Sequence, residues 1–210
     1  MKIYLSLFLF FLGNLCSAQA SFHVFKKDLG EKIRTYDLKT ALDLINSNKA
    51  RFNDTQKVDL EVMKVQIFTE FGWYDQSFKL SQNLNVNPNL TSEQKARLYI
   101  ERALIYEIND NATATKFELD KAEKLFKKYP QLKSKNYTLF LIRKSSYYRV
   151  NGFSEMAFAI AKDAEQFANT INDYYNYADI QFILGLGYKN KSPAKSLEHL
   201  KRALFLYKKF

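Results

Sequence analysis

His23 and His199 are the only two imidazoles in the chain, and they lie far apart in sequence. A metal site on a helix would want a second histidine one turn away on the same face, and neither has one. Asp59 with Glu61 and Asp173 with Asp179 have the residue type for general acid and base work, but they lie in charged helical stretches where solvated surface is the default. Tyr147 and Tyr148, and Tyr174, Tyr175 and Tyr177, fit packing between helices better than a ligand groove. Trp73, the only tryptophan, stands at a turn and is the one residue suited to an aromatic platform for a sugar. No glycine-rich phosphate loop, G-x-S-x-G elbow or zinc-binding helix motif occurs. The chain is therefore expected not to be an enzyme, with no catalytic residue, cofactor or metal.

The elements that would position any functional residue are helices. With 47% hydrophobic residues the chain has the core material that a disordered one lacks, and 6 glycines and 3 prolines leave too little turn chemistry for many short strands. The first residues read differently. Lys2, the apolar run from Ile3 to Leu12, and the small residues Ser17, Ala18 and Ala20 make a secretory signal peptide over 1–20, cleaved after Ala18 or Ala20. The run is about half the roughly 20 residues that cross a bilayer, so no retained membrane span is expected. Cys16 is the sole cysteine, and Leu15 before it is not the small residue of a lipoprotein signal; the mature chain has no disulfide or thiolate. The formal net charge of +10 is spread among acidic residues, as in Lys121-Ala-Glu-Lys124 and Glu198-His-Leu-Lys-Arg202. That pattern is a solvated surface with a preference for acidic partners, and it excludes the clustered footprint of a nucleic-acid binder.

A sentence of residues recurs along the chain. Its clearest copy has Ser145 and Tyr148 on a first helix, a turn at Asn151-Gly152-Phe153, then Ala157, Ala161 and Ala164 on one stripe of a second helix. Earlier, Val65 and Phe68 precede Gly72-Trp73-Tyr74, and Ser77, Ser81 and Leu84 follow. A middle copy carries Ala103 and Tyr106, a polar turn through Asn109-Asp110-Asn111, then Ala122, Leu125 and Pro130. The last copy carries Leu184, Gly185 and Tyr188, a turn through Lys191-Ser192-Pro193, then Ser196, Leu200 and Ala203. Anchors of the second helices fall at Ala41, Ser77, Glu118, Ala157 and Ser196, spaced by 36 to 41 residues.

These helix pairs resemble tetratricopeptide repeats, whose first helix carries Leu-Gly then Tyr and whose second carries spaced alanines. Leu184, Gly185, Tyr188, Gly152, Ala157, Ala161, Ala164, Ala203 and Pro130 bear the resemblance, and the spacing exceeds the roughly 34 residues of the strict repeat. It implies an all-α fold, a right-handed superhelix of antiparallel helix pairs with about four and a half repeats over 21–210. It also implies a non-catalytic scaffold for a protein or peptide, which the signal peptide and the cysteine-free mature chain put in the bacterial envelope, periplasmic or secreted. The first helices would line a concave surface, with Gln66, Arg97, Ser146, Arg149, Asp179 and Lys189 facing inward. Arg149 and Lys189, at matching positions of adjacent repeats, would hold a carboxylate or acidic segment by charge-assisted hydrogen bonds.

The C-terminal helix has Leu197, Leu200, Leu204 and Tyr207 on one stripe, with Ala203, Phe205, Leu206 and Phe210 covering much of the rest. A terminal repeat with no polar outer face is expected to self-associate or to continue into further chain. The second case makes the chain the periplasmic sensory part of a membrane-bound signalling or transcription-regulatory protein, truncated at Phe210.

Overall fold

The computed structural model describes residues 21–209; the expected signal peptide over 1–20 and Phe210 lie outside the described residues. Among the described residues every regular element is a helix. They are α1 (21–34), α2 (Leu38–Asn48), α3 (Asp54–Glu70), α4 (Tyr74–Asn85), α5 (Ser92–Ile108), α6 (Ala112–Lys128), α7 (Lys135–Val150), α8 (Ser154–Thr170), α9 (Tyr174–Tyr188) and α10 (Pro193–Lys209), with short 3₁₀ turns at Lys49–Arg51 and Pro130–Leu132. The all-α expectation holds, and the odd-numbered helices are the first members of successive pairs. Where the sequence suggests a half repeat at the start, residues 21–34 form a helix that completes a pair with α2. No helix here is long and apolar enough to cross a membrane, among the described residues.

The chain clusters into two compact units, Met1–Leu60 and Glu61–Phe210, with the boundary inside α3. In the first, Phe22 and Phe25 set their rings 4.9 and 5.0 Å from Phe52, and Leu29, Ala41 and Ile45 are fully buried. In the second, one core runs from α5 to α9 through Ile100, Leu119, Phe126, Phe140, Ala164 and Ile180.

One residue in the left-handed region closes each of five helices: Tyr36, Gly72, Asp110, Gly152 and Asn172. The N–H after each reaches back to the last turn, Asp37 to Lys32 O, Trp73 to Phe68 O, Asn111 to Tyr106 O, Phe153 to Tyr148 O and Asp173 to Ala168 O, at 2.8–2.9 Å. This is the Schellman closure, and it satisfies carbonyls that the helix end leaves open. Glycine adopts the conformation freely at 72 and 152, whereas Tyr36 does so against its own Cβ. First helices also start alike, with an amide side chain at one register. Gln56 and Gln94 complete capping boxes with Asn53 and Thr91, and the backbone N–H groups of Asn136 and Asn176 donate to Ser134 Oγ and Asp173 Oδ1.

The second helices share an anchor. The N–H groups of Ala41, Ser77, Thr115, Ala157 and Ser196 bond the carbonyls of Asp37, Trp73, Asn111, Phe153 and Ser192, and all five anchors are buried. The middle anchor is thus Thr115, a correction to Glu118, which lies three residues farther along the same helical face. Glu118 is buried for another reason: Nε and Nη2 of Arg102 both donate to its Oε2, at 3.1 and 2.9 Å.

Opposite the anchors the first helices place Val65, Ala103, Ser145 and Gly185, all buried. Ser77 Oγ donates to Val65 O (3.1 Å), Ser145 Oγ to Ala157 O (2.7 Å) and Ser196 Oγ to Gly185 O (2.8 Å). Side chains this small let the backbones of each pair approach closely. A Cβ on Gly185 would stand 2.7 Å from Leu200 Cγ and 3.3 Å from the Leu200 backbone N. Gly185→Ala is therefore expected to lower stability by about 1–3 kcal/mol, the usual range for overpacking. Gly30→Ala, whose Cβ would meet nothing within 4 Å, should instead gain up to about 1 kcal/mol of helix propensity; denaturant titration of both variants measures the contrast.

Candidate interaction surface

The first helices of the second unit are tied to one another near their N-termini. Asn136 Nδ2 on α7 donates to Glu93 Oε1 on α5 (3.2 Å), which also accepts from Ser134 Oγ (3.3 Å). Arg97 of α5 reaches Asn136 Oδ1 at 3.3 Å, and Asn176 of α9 donates to Lys135 O at 3.5 Å. Toward the other end, Ser146 Oγ of α7 donates to Glu107 Oε1 of α5 at 2.6 Å. These bonds join alternate helices α5, α7 and α9.

Charge is pooled among these helices. Arg97 grips Glu101 through Nη2 (2.5 Å) and Nε (2.6 Å), and the Glu101 side chain is almost wholly buried. Glu70, at the end of α3, has its carboxyl pushed above the usual range, first by burial and then by Glu101 and Asp179, while Arg97 and Arg143 pull the other way. Five ionisable groups from α3, α5, α7 and α9 therefore share one electrostatic neighbourhood. Their nominal charges are three negative and two positive, and Arg97 is already committed to Glu101.

The opposite, second-helix side is organised differently. Arg102 and Glu118 are both about 5% exposed or less, Arg102 Nη1 donates to Ser81 O (3.3 Å), and Lys121 Nζ reaches Glu118 Oε1 (3.1 Å). Gln82, Asn85 and Tyr106 complete a polar cavity of about 280 Å³ around this buried pair. The guanidinium also lies 5.0 Å from the Tyr99 ring. Among the described residues no three His, Cys, Asp or Glu side chains converge as metal ligands would.

Two solved structures share the fold. BtubC (BKLC) from P. vanneervenii is 13% identical, covers 91% of this chain and 89% of its own, and superposes with a TM-score of 0.59. A variant of a putative kinesin light chain with nearly identical TPR-like repeats, from Podosopora anserina, is 11% identical, covers 91% of this chain and 94% of its own, and gives a TM-score of 0.51. The fold is tetratricopeptide-like. No protein-family model matches the chain, and no curated protein matches it significantly.

In this tetratricopeptide-like stack the six residues expected to face a partner separate into three pairs. Arg97 and Asp179 belong to the charge cluster of Glu70, and Asp179 also accepts a hydrogen bond from Tyr207. Ser146 is half-buried against Glu107, and Gln66 is half-buried on α3. Arg149 and Lys189 are exposed, at the last turn of α7 and the C-cap of α9. Among the described residues neither is joined to the cluster by a hydrogen bond or ion pair. The sequence missed Glu70, Glu101 and Arg143, whose importance lies in the company they keep across repeats. The stacked rings of Trp73 and Phe71, with centroids 4.4 Å apart, leave Trp73 41% exposed at its turn.

A carboxyl whose pKa is raised on folding weakens the fold wherever it is ionised. The penalty is absent below its ordinary pKa of 4.5 and grows as pH rises through the folded value. Glu70→Gln should therefore melt above the parent at about pH 7, with the gap closing toward about pH 4; a gap independent of pH would show that charge is not its cause. Removing one partner of the buried pair, as in Glu118→Ala, should cost about 3–5 kcal/mol by leaving Arg102 uncompensated, and denaturant unfolding reads it.

Proposed function

We propose that the chain is an exported, non-catalytic scaffold of the bacterial envelope, whose first-helix face binds a protein or peptide. The observation that carries this reading is the tetratricopeptide-like stack itself, whose first helices α5, α7 and α9 are joined side by side through Asn136, Ser146 and Asn176, with Glu70, Arg97, Glu101, Arg143 and Asp179 as the charges on that side. A repeat stack presents such a surface before any partner arrives, so little ordering entropy is lost on binding. The cluster leans negative, while Arg149 and Lys189 lie exposed at the C-terminal ends of adjacent first helices. In this reading an acidic segment of the partner meets Arg149 and Lys189, with its donor-bearing groups opposite Glu70 and Asp179. Export is supported by the Lys2-led apolar run and its small-residue boundary.

Affinity capture from envelope extract tests both parts, with the full chain expressed in a bacterium and with an Arg149→Glu/Lys189→Glu variant alongside. The mature protein should begin at Gln19 or Ser21 by intact mass. A specific partner should be retained by the parent and lost by the variant, with helical circular dichroism unchanged. Equal capture by a folded variant would remove Arg149 and Lys189 from the site, and an uncleaved N-terminus would remove the export assignment.

A further inference from the structure

The register of the second helices shows what each of their positions meets on the following first helix. One residue after the anchor, Phe78 packs its ring 5.3 Å from Tyr106 of α5, and Phe158 packs 4.8 Å from Tyr188 of α9. Eight residues after the anchor stand Asn85, Glu123 and Glu165. Asn85 lines the cavity of Arg102 on α5. Glu123 pairs with Lys144 of α7 at 2.9 Å. Glu165 accepts from Tyr177 (3.1 Å) and Gln181 (2.7 Å) of α9. In α10 the same two positions are Leu197 and Leu204, 54% and 55% exposed, beside Phe205 at 65%. The face that elsewhere takes a helix is uncovered here, and its polar latch has become apolar.

Two lysines belong to the same stripe. Leu197, Lys201, Leu204 and Lys208 recur at the helical spacing that brings side chains to one side, and both lysines are exposed without an ion-pair partner among the described residues. Glu198 is the only acidic residue of α10 against Lys195, Lys201, Arg202, Lys208 and Lys209. A second copy docked by this face would bring lysines toward lysines, whereas glutamate or aspartate along the edges of a leucine stripe would pair with them.

We infer that the outer face of α10, formed by Leu197, Lys201, Leu204, Phe205 and Lys208, docks an acidic amphipathic helix of another protein. The helix lies where a further first helix would lie in the stack, so its apolar stripe covers Leu197 and Leu204. Its carboxylates meet Lys201 and Lys208. This surface is separate from the first-helix face and does not depend on what binds there.

The test is fluorescence anisotropy of a synthetic helical peptide, about four turns long with one leucine stripe flanked by glutamates, titrated with the full chain. Saturable binding is expected, falling with added salt and weakening by about tenfold or more in Leu204→Glu and in Lys201→Glu/Lys208→Glu. The same stripe flanked by lysines should not bind. These positions are exposed, and circular dichroism checks that the variants keep their helices. The inference is overturned if both peptides bind alike, if the glutamate peptide fails to bind, or if sedimentation reveals a dimer that Leu204→Glu dissolves; the last outcome assigns the face to a second copy.

Discussion

Everything else in this structure depends on how closely the two helices of a pair approach at their small buried residues. Val65 against Ser77, Ser145 against Ala157 and Gly185 against Ser196 are contacts in which a serine hydroxyl finds a backbone carbonyl across the pair. The hydroxyl satisfies itself without a bulky partner, and any larger side chain at these points would push the helices apart. Because both members are fixed at one register, each repeat commits the same positions to packing and leaves the same positions free. A short hydrogen-bonded contact therefore decides which side chains face a partner.

That commitment sorts the charges. Positions eight residues past an anchor go to the next first helix, and they carry the carboxylates that hold Lys144 and the polar pair Tyr177 and Gln181. Glu123 illustrates the cost and the return: burial opposes its ionised form, yet hydrogen bonds from Lys127 and Lys144 hold its carboxyl below the usual range. On the other side the register aligns Glu70, Arg97, Glu101, Arg143 and Asp179, where burial is not fully offset and Glu70 remains raised. Carboxylates held below and above their usual range are thus separated by geometry rather than by residue type.

Much of this was legible in the sequence, and the omissions have physical causes. Gly72 and Gly152 announced left-handed helix ends because glycine alone adopts them freely; Tyr36, Asp110 and Asn172 reach the same conformation with a Cβ, so residue type gave weaker or no warning. Ser77, Ala157 and Ser196 were found as anchors because they are small where neighbours are large. Thr115 and Glu118, one turn apart on the same face, are not distinguished by sequence, because periodicity alone does not separate positions three residues apart on a helix. The aromatic partners Phe68, Tyr106, Tyr148 and Tyr188 followed from spacing. Arg143 and Glu70 did not, since what distinguishes them is proximity across repeats.

The register of the middle pair decides which residues of α5 and α6 are exposed. With Cys16 replaced by serine the chain has no native cysteine, so paired cysteine substitutions report proximity on a clean background. With Ala103 opposite Thr115, Ala103→Cys/Thr115→Cys should oxidise readily to a disulfide, as Ser145→Cys/Ala157→Cys should, because bridging demands Cα atoms within about 7 Å. Ready oxidation of Ala103→Cys/Glu118→Cys, with none for Ala103→Cys/Thr115→Cys, would contradict that register.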